Sequence, residues 1–193
     1  TDRQYLAAVI RYNQALQERN KLLKVNPSEE MLLIYDMMLD ECAKTIFERR
    51  TKAVEQLLPL VERYYALLSS DRERIGMQYR SDLQEGTMAD MLLASRRKDF
   101  INEHTTVGIH RDDVIFTIAE YPLRKFGSQG QQKSFLVALK LAEYTLLAEH
   151  NNEKPILLLD DLFDKLDMGR VAQLLRLVGS EMFGQIFITD CNK

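Results

Sequence analysis

Pro155-Ile156-Leu157-Leu158-Leu159-Asp160-Asp161 decides how the rest of the chain is read. Four consecutive apolar residues between a proline and two acids predict a short buried strand over 155–160. In an open α/β sheet such a strand delivers its carboxyl-end side chains to the crevice where ligands bind. There Asp160 is suited to hold Mg²⁺, which keeps several waters and uses few carboxylates. Asp161 is suited to position an attacking water or take its proton. This is a Walker B pattern, although two acids also end many plain, solvated strands.

The flanking residues extend the pattern. Downstream, Leu162-Phe163-Asp164-Lys165-Leu166-Asp167 closes on Asp-x-Leu-Asp. A helix over 168–178 and a second buried strand over 185–189 are predicted to follow. Upstream, Gly127-Ser128-Gln129-Gly130-Gln131-Gln132-Lys133-Ser134 opens a helix predicted over 131–150, with Phe135, Leu139, Ala142 and Leu146 on one face. Helix, strand, helix, strand in this order predicts a parallel sheet with flanking helices. Two parallel strands make a poor domain by themselves. Other strands must pair with them or lie outside these residues.

The stretch 127–134 supports two readings. Gly127, Lys133 and Ser134 match three fixed positions of the phosphate loop G-x-x-x-x-G-K-S, but Gln132 stands where that loop needs a glycine to wrap the phosphate. No other segment fits that pattern. Ser128-Gln129-Gly130-Gln131 matches instead Ser-x-Gly-Gln, the core of an ABC-type signature. Ser128 would cap the helix, and the amides near Gly130 would face an anion from a helix N-terminus. An ordinary serine cap followed by a glycine looks the same in isolation.

The first half reads as helices. Tyr5, Val9, Tyr12, Leu16 and Leu23 fall on one face. Asn26-Pro27-Ser28-Glu29 predicts a new helix start, with Asn26 as the cap and Glu29 three residues on. Leu32, Tyr35, Leu39, Cys42 and Ile46 carry the next apolar stripe, continued by Phe47, Val54, Val61 and Leu68. Pro59 is expected to kink or break that helix near Leu58. Two stripes joined by a short turn predict an antiparallel hairpin, either a plain bundle core or a projecting arm. Beyond it, strands are predicted over 75–80 and 114–118, a helix over 88–102, and a segment pairing with the second strand over 121–126.

Composition excludes several classes. The 193 residues are 46% hydrophobic and 28% charged, as in globular chains, and carry a net charge of -3. Bulk charge does not announce a nucleic-acid binder. Arg49, Arg50, Lys52, Arg96, Arg97 and Lys98 are interspersed with acids and read equally as a solvated helix face. Cys42 and Cys191 read as two reduced thiols of a cytoplasmic protein. No apolar run approaches the ~20 residues of a membrane span.

Signature, helix, Walker B, Asp-x-Leu-Asp, helix and strand are specific as an ordered set. Together with Gly108-Ile109-His110-Arg111-Asp112 upstream, the chain resembles the carboxyl-terminal half of the RecF family of bacterial DNA replication and repair proteins. The resemblance implies an α/β, P-loop NTPase-like fold with a large helical part. A helical hairpin arm would occupy 1–75. The carboxyl-terminal part of an SMC-like ABC-type ATPase head, a parallel sheet with flanking helices, would occupy 76–193. The family's Walker A lobe would precede the arm, so these residues alone are expected to turn over negligible ATP.

The resemblance also implies the site. Ser128, Gly130 and Gln131 would meet the ATP of an opposite protomer, with Lys133 shaping that interface. Asp160 would serve Mg²⁺, and Asp161 would replace the usual catalytic Glu. Asp164 and Asp167 would run along the dimer interface. Thr189-Asp190-Cys191 occupies the place of the family's switch His, and the resemblance gives His110 and Arg111 no definite role. Implied partners are duplex DNA and gap junctions, RecO and RecR, and a second copy in an ATP-dependent homodimer that helps load recombinase at single-strand gaps. Two alternatives stay open on the residues alone. One is a noncatalytic helical module that binds a partner. The other is the head fragment of a different SMC-like ATPase, which the short arm disfavours.

Overall fold

The computed structural model describes residues 2–160 and 165–189. Helix α1 (Arg3–Leu23) starts at Asp2, whose carboxylate accepts from the backbone N–H of Gln4 and Tyr5, both at 3.0 Å. This satisfies two of the donors that a helix start leaves bare. Helix α2 (Glu29–Ser69) starts two residues later than the sequence predicts. Asn26 takes the left-handed conformation at φ 52° and turns the chain, while the Ser28 hydroxyl accepts from the Met31 N–H. An asparagine pays little for that φ, so the turn takes Asn26 and the cap falls to Ser28.

Pro59 does not break α2. The helix runs 41 residues through it, about 60 Å at ~1.5 Å per residue. The exposed ring and the buried neighbours explain this. Val61, Tyr64 and Tyr65 are fully buried within the next two turns, and each such side chain contributes roughly 1.5–3 kcal/mol. That sum exceeds the ~3 kcal/mol that an interior proline costs.

The chain forms two compact units, Thr1–Ala53 with Tyr79–Val114, and Val54–Gln78 with Ile115–Lys193. Helix α2 and strands β1 (Ile75–Arg80) and β2 (Asp113–Ile118) run from one unit into the other. The first unit packs α1 and the start of α2 with α3 (Met88–Asn102) around Tyr12, Leu39, Ile46, Met88 and Leu92. Inside it lies Arg19, wholly buried. It donates to Asp36 at 2.7 Å, to Asp99 at 2.8 Å and to the Thr105 hydroxyl at 2.8 Å. Asp99 also accepts from the Thr106 backbone and hydroxyl, and Arg96 reaches the other oxygen of Asp36.

The described strands form two sheets. Strands β1, β2 and β3 (Tyr121–Pro122) form one in that order, with β2 and β3 antiparallel. Residues 121–126 are therefore only partly strand. Pro122 has no N–H to continue a ladder, and α4 (Leu123–Phe126) follows as a single turn. Helix α5 (Gln129–Asn151) is long and buries Phe135, Ala138, Leu141 and Ala142. Strands β4 (Leu157–Leu159) and β5 (Ile186–Ile188) are parallel, as the alternation with helices predicts, with Leu158 opposite Phe187. Helix α6 (Met168–Val178) connects them.

The two strands are buried on one face only. Leu157 and Leu159 enter the core, whereas Leu158 is 71% exposed and Phe187 51%. The continuous apolar run predicts burial on both sides, and the described residues cover one. Among them, no helix is long and apolar enough to cross a membrane.

Candidate functional site

Helix α5 begins as its sequence dictates. Ser128 is extended at the cap, its hydroxyl accepts from the Gln131 N–H at 3.2 Å, and the Gln131 side-chain oxygen accepts from the Ser128 N–H at 2.7 Å. This reciprocal pair is a capping box. The first hydrogen bond of the helix runs from Gln132 N to Ser128 O at 2.9 Å. The amides of Gln129 and Gly130 have no partner within the helix and form its positive end. Because the chain is helical from Gln129 onward, 127–134 does not build a phosphate-wrapping loop. Gln132 instead folds its side-chain amide onto the Gly127 carbonyl at 2.8 Å. Ser134 is buried and donates to Gly130 O at 2.8 Å.

Gly130 is required by packing. A Cβ built there would lie 2.9 Å from the Lys165 carbonyl oxygen. The signature turn therefore abuts the backbone just before α6. Asp167 caps α6, accepting from the Arg170 N–H at 2.9 Å and from Arg170 Nε at 3.2 Å. The Arg170 backbone N–H, more than its guanidinium, holds the Asp167 carboxyl below the usual range.

Arg170 then joins this turn to α5. One terminal nitrogen donates to the Ser134 hydroxyl at 2.8 Å, and the other to both oxygens of Glu73 at 2.9 and 3.1 Å. Glu73 also accepts from the Gln131 amide at 3.0 Å and from the Tyr65 hydroxyl at 2.5 Å. Burial pushes the Glu73 carboxyl up, but the donors Tyr65, Gln131 and Arg170 outweigh it and hold it below the usual range. Sequence reasoning misses both Glu73 and Arg170. Arg170 carried one signal, its place three residues after a capping Asp. Glu73 lies 97 positions from its partner and carried none.

At the carboxyl ends of β4 and β5, Thr189 N donates to Leu159 O at 3.0 Å, and the Thr189 hydroxyl donates to Asp160. The structure thus brings Asp160 beside Thr189, one of the residues at the expected switch position. Asp161 and Asp164 lie outside the described residues, as do Asp190 and Cys191. Among the described residues no group of three His, Cys, Asp or Glu side chains gathers as a metal cage.

His110, Arg111 and Asp112 lie in the other unit. Asp112 accepts from Arg50 at 3.0 Å and from the Tyr79 hydroxyl, and Arg50 also donates to Ile109 O at 2.8 Å. His110 sits between the Tyr12 hydroxyl at 2.9 Å and the Thr105 carbonyl at 3.3 Å. Burial first, then the neighbouring Arg111 charge, hold its imidazole below the ordinary value. Arg111 borders a cavity of about 580 Å³ with Arg80, Ser81, Asp82 and Glu85. Several basic residues of the helices are paired with acids: Arg49 with Asp2, Arg50 with Asp112, and Arg96 with Glu29 and Asp36.

Solved structures give the class of protein. The fold superposes over the whole chain on 54% of a solved chain, with a TM-score of 0.83 and 29% identity. It is a helix-rich α/β fold, the carboxyl-terminal part of an ABC-type ATPase head with a small parallel sheet and flanking helices. That neighbour is the recombination mediator protein RecF-ATP in the RecFOR pathway, and RecF-ATPrS matches equally.

Over its whole length the chain is homologous to the carboxyl-terminal part of curated RecF proteins. It is 40% identical over 195 residues to the DNA replication and repair protein RecF of Phocaeicola vulgatus, covering 100% of this chain and 53% of that protein. The Parabacteroides distasonis protein of the same name is 44% identical over 193 residues, again covering 100% and 53%. That of Flavobacterium johnsoniae is 42% identical over 194 residues, covering 98% and 54%. The chain spans about half the length of the curated relatives it matches. No protein-family model matches it.

Proposed function

We propose that these residues are part of an ATP-dependent, DNA-binding recombinational repair protein that dimerises on ATP and helps load recombinase at single-strand gaps. One observation carries the reading: the capped start of α5, with the Gln129 and Gly130 amides unpartnered within the helix and Gly130 seated against Lys165. In this reading Ser128, Gly130 and Gln131 face the ATP of an opposite protomer, and the helix end complements its negative charge. Asp164 and Asp167 run along the interface between copies. Asp161 positions the attacking water.

Asp160 fits a role toward Mg²⁺. It is an exposed carboxylate with a hydroxyl beside it, and Mg²⁺ needs one or two carboxylates with waters and phosphate oxygens. Mg-ATP, when bound, supplies the charge that both protomers recognise. The arm over 1–75 and the head portion over 76–193 belong to this proposal, as do duplex DNA, gap junctions, RecO and RecR as partners and a cytoplasmic location. The remaining part of the longer relatives would supply the phosphate loop and cover the open face of β4 and β5.

The test is sedimentation of the full-length protein with and without Mg-ATP. A nucleotide-dependent dimer is expected, and Ser128→Arg should abolish it while leaving ATP binding intact. A wild-type protein that stays monomeric at saturating Mg-ATP would overturn the reading.

A further inference from the structure

Arg170 and Glu73 reach the same backbone turn by two separate routes of hydrogen bonds. On one route the Arg170 guanidinium donates to the Ser134 hydroxyl, which donates to the Gly130 carbonyl, each at 2.8 Å. On the other Glu73 accepts from the Gln131 amide at 3.0 Å, and the oxygen of that same amide accepts from Ser128 N at 2.7 Å. The bond between Arg170 and Glu73 closes the ring. Arg170 is also fixed by Asp167 at the start of α6. Both charged side chains are largely covered, 14% and 21% exposed, so their bonds are poorly screened. Ser128, Gly130 and Gln131 are thereby held through their carbonyl and side-chain atoms, and none of these bonds uses the Gln129 or Gly130 amide.

We infer that Arg170 and Glu73 are a positioning pair that sets the first turn of α5 against the first turn of α6. They keep the signature amides aimed at a nucleotide held by a second copy. The inference rests on the reading of α5 given above. It goes further by assigning the alignment of that turn to two residues outside every motif. Neither touches the nucleotide; both act through Gly130, Gln131 and Ser134. A guanidinium is needed because one side chain must serve Ser134, Glu73 and Asp167 together, and a lysine ammonium lacks that planar fork.

Two measurements on the full-length protein test this. The first is amide hydrogen exchange without nucleotide. Arg170→Ala and Glu73→Gln should raise exchange at the first turns of α5 and α6 at least tenfold, with the rest of α5 unchanged. Unchanged exchange in both variants would overturn the positioning role, whatever nucleotide does. The second is Mg-ATP-driven dimerisation beside ATP affinity measured at monomer concentrations. Both variants should weaken the dimer at least tenfold while ATP affinity stays within twofold. Arg170→Lys should recover little of the loss. Loosened turns with undiminished dimerisation would overturn the link to the nucleotide. A wild type that fails to dimerise would instead sink the ATPase reading and leave the exchange result to decide the positioning claim.

Discussion

Arg19 and Asp99 are both wholly buried and joined at 2.8 Å. The pair sits in a network in which Asp36 and Thr105 accept from Arg19, and Thr106 donates to Asp99. Such a pair adds little over a well-packed apolar pair, but removing one partner strands the other. Arg19→Ala should therefore cost about 3–5 kcal/mol by leaving the buried Asp99 without a counter-charge, while Asp36 keeps Arg96. Urea unfolding measures this, and a loss below about 1 kcal/mol, the scale of an exposed pair, would refute it.

Gly130 sets helix propensity against packing. In a free helix Gly→Ala stabilises by about 0.5–1 kcal/mol. Here the added Cβ meets the Lys165 carbonyl at 2.9 Å. Backbone against Cβ cannot be relieved by a rotamer change, so Gly130→Ala should destabilise by about 1–3 kcal/mol. Thermal unfolding of the variant reads the sign directly, and a stabilised protein would show that the close approach is absent.

Pro59 lies exposed inside α2. Its replacement restores one backbone donor and removes a ring clash. Pro59→Ala should raise stability by about 1–3 kcal/mol, up to the cost of an interior proline. A lower unfolding midpoint would mean that the proline fixes a bend the packing requires.

His110 makes stability depend on pH. Its imidazole is neutral between the Tyr12 hydroxyl and the Thr105 carbonyl, with Arg111, Asp112 and Asp82 as the charges around it. Burial lowers the folded pKa beneath 6.5, so below that value the unfolded chain takes up the proton first. The stabilisation is complete above 6.5 and is lost as pH falls through the folded value. His110→Gln should flatten the fall in unfolding free energy on going from about pH 7.5 to 5. An identical pH slope in the variant would exclude this histidine as its source.

The elements that the sequence made legible are those governed by local rules. The spacing of Phe135 and Ala142 marked α5, and Ser128 marked its cap because a capping residue is written right beside the helix it starts. The strand pair followed from Leu157–Leu159 and Ile186–Ile188 alternating with helices. The helix does not break at Pro59 because propensity at one residue lost to the burial of Val61, Tyr64 and Tyr65. Asn26 misled because its suitability for a left-handed turn competed with its suitability as a cap. Glu73, Asp36 and Asp99 were invisible for another reason. Each is an ordinary acid in a helical or loop stretch, and only long-range packing sets a guanidinium beside it.

The half-covered strands β4 and β5 have a consequence for handling the protein. Leu158, Phe187 and Ile156, at 71%, 51% and 59% exposure, bare oily side chains on a two-stranded ribbon. Strands of this kind are adhesive toward one another. Solutions of these residues alone should cloud with concentration and with salts that strengthen apolar association. A charge placed at Leu158 should clear them without unfolding the chain. Any self-association seen with such material must first be cleared of this stickiness before nucleotide is credited with it.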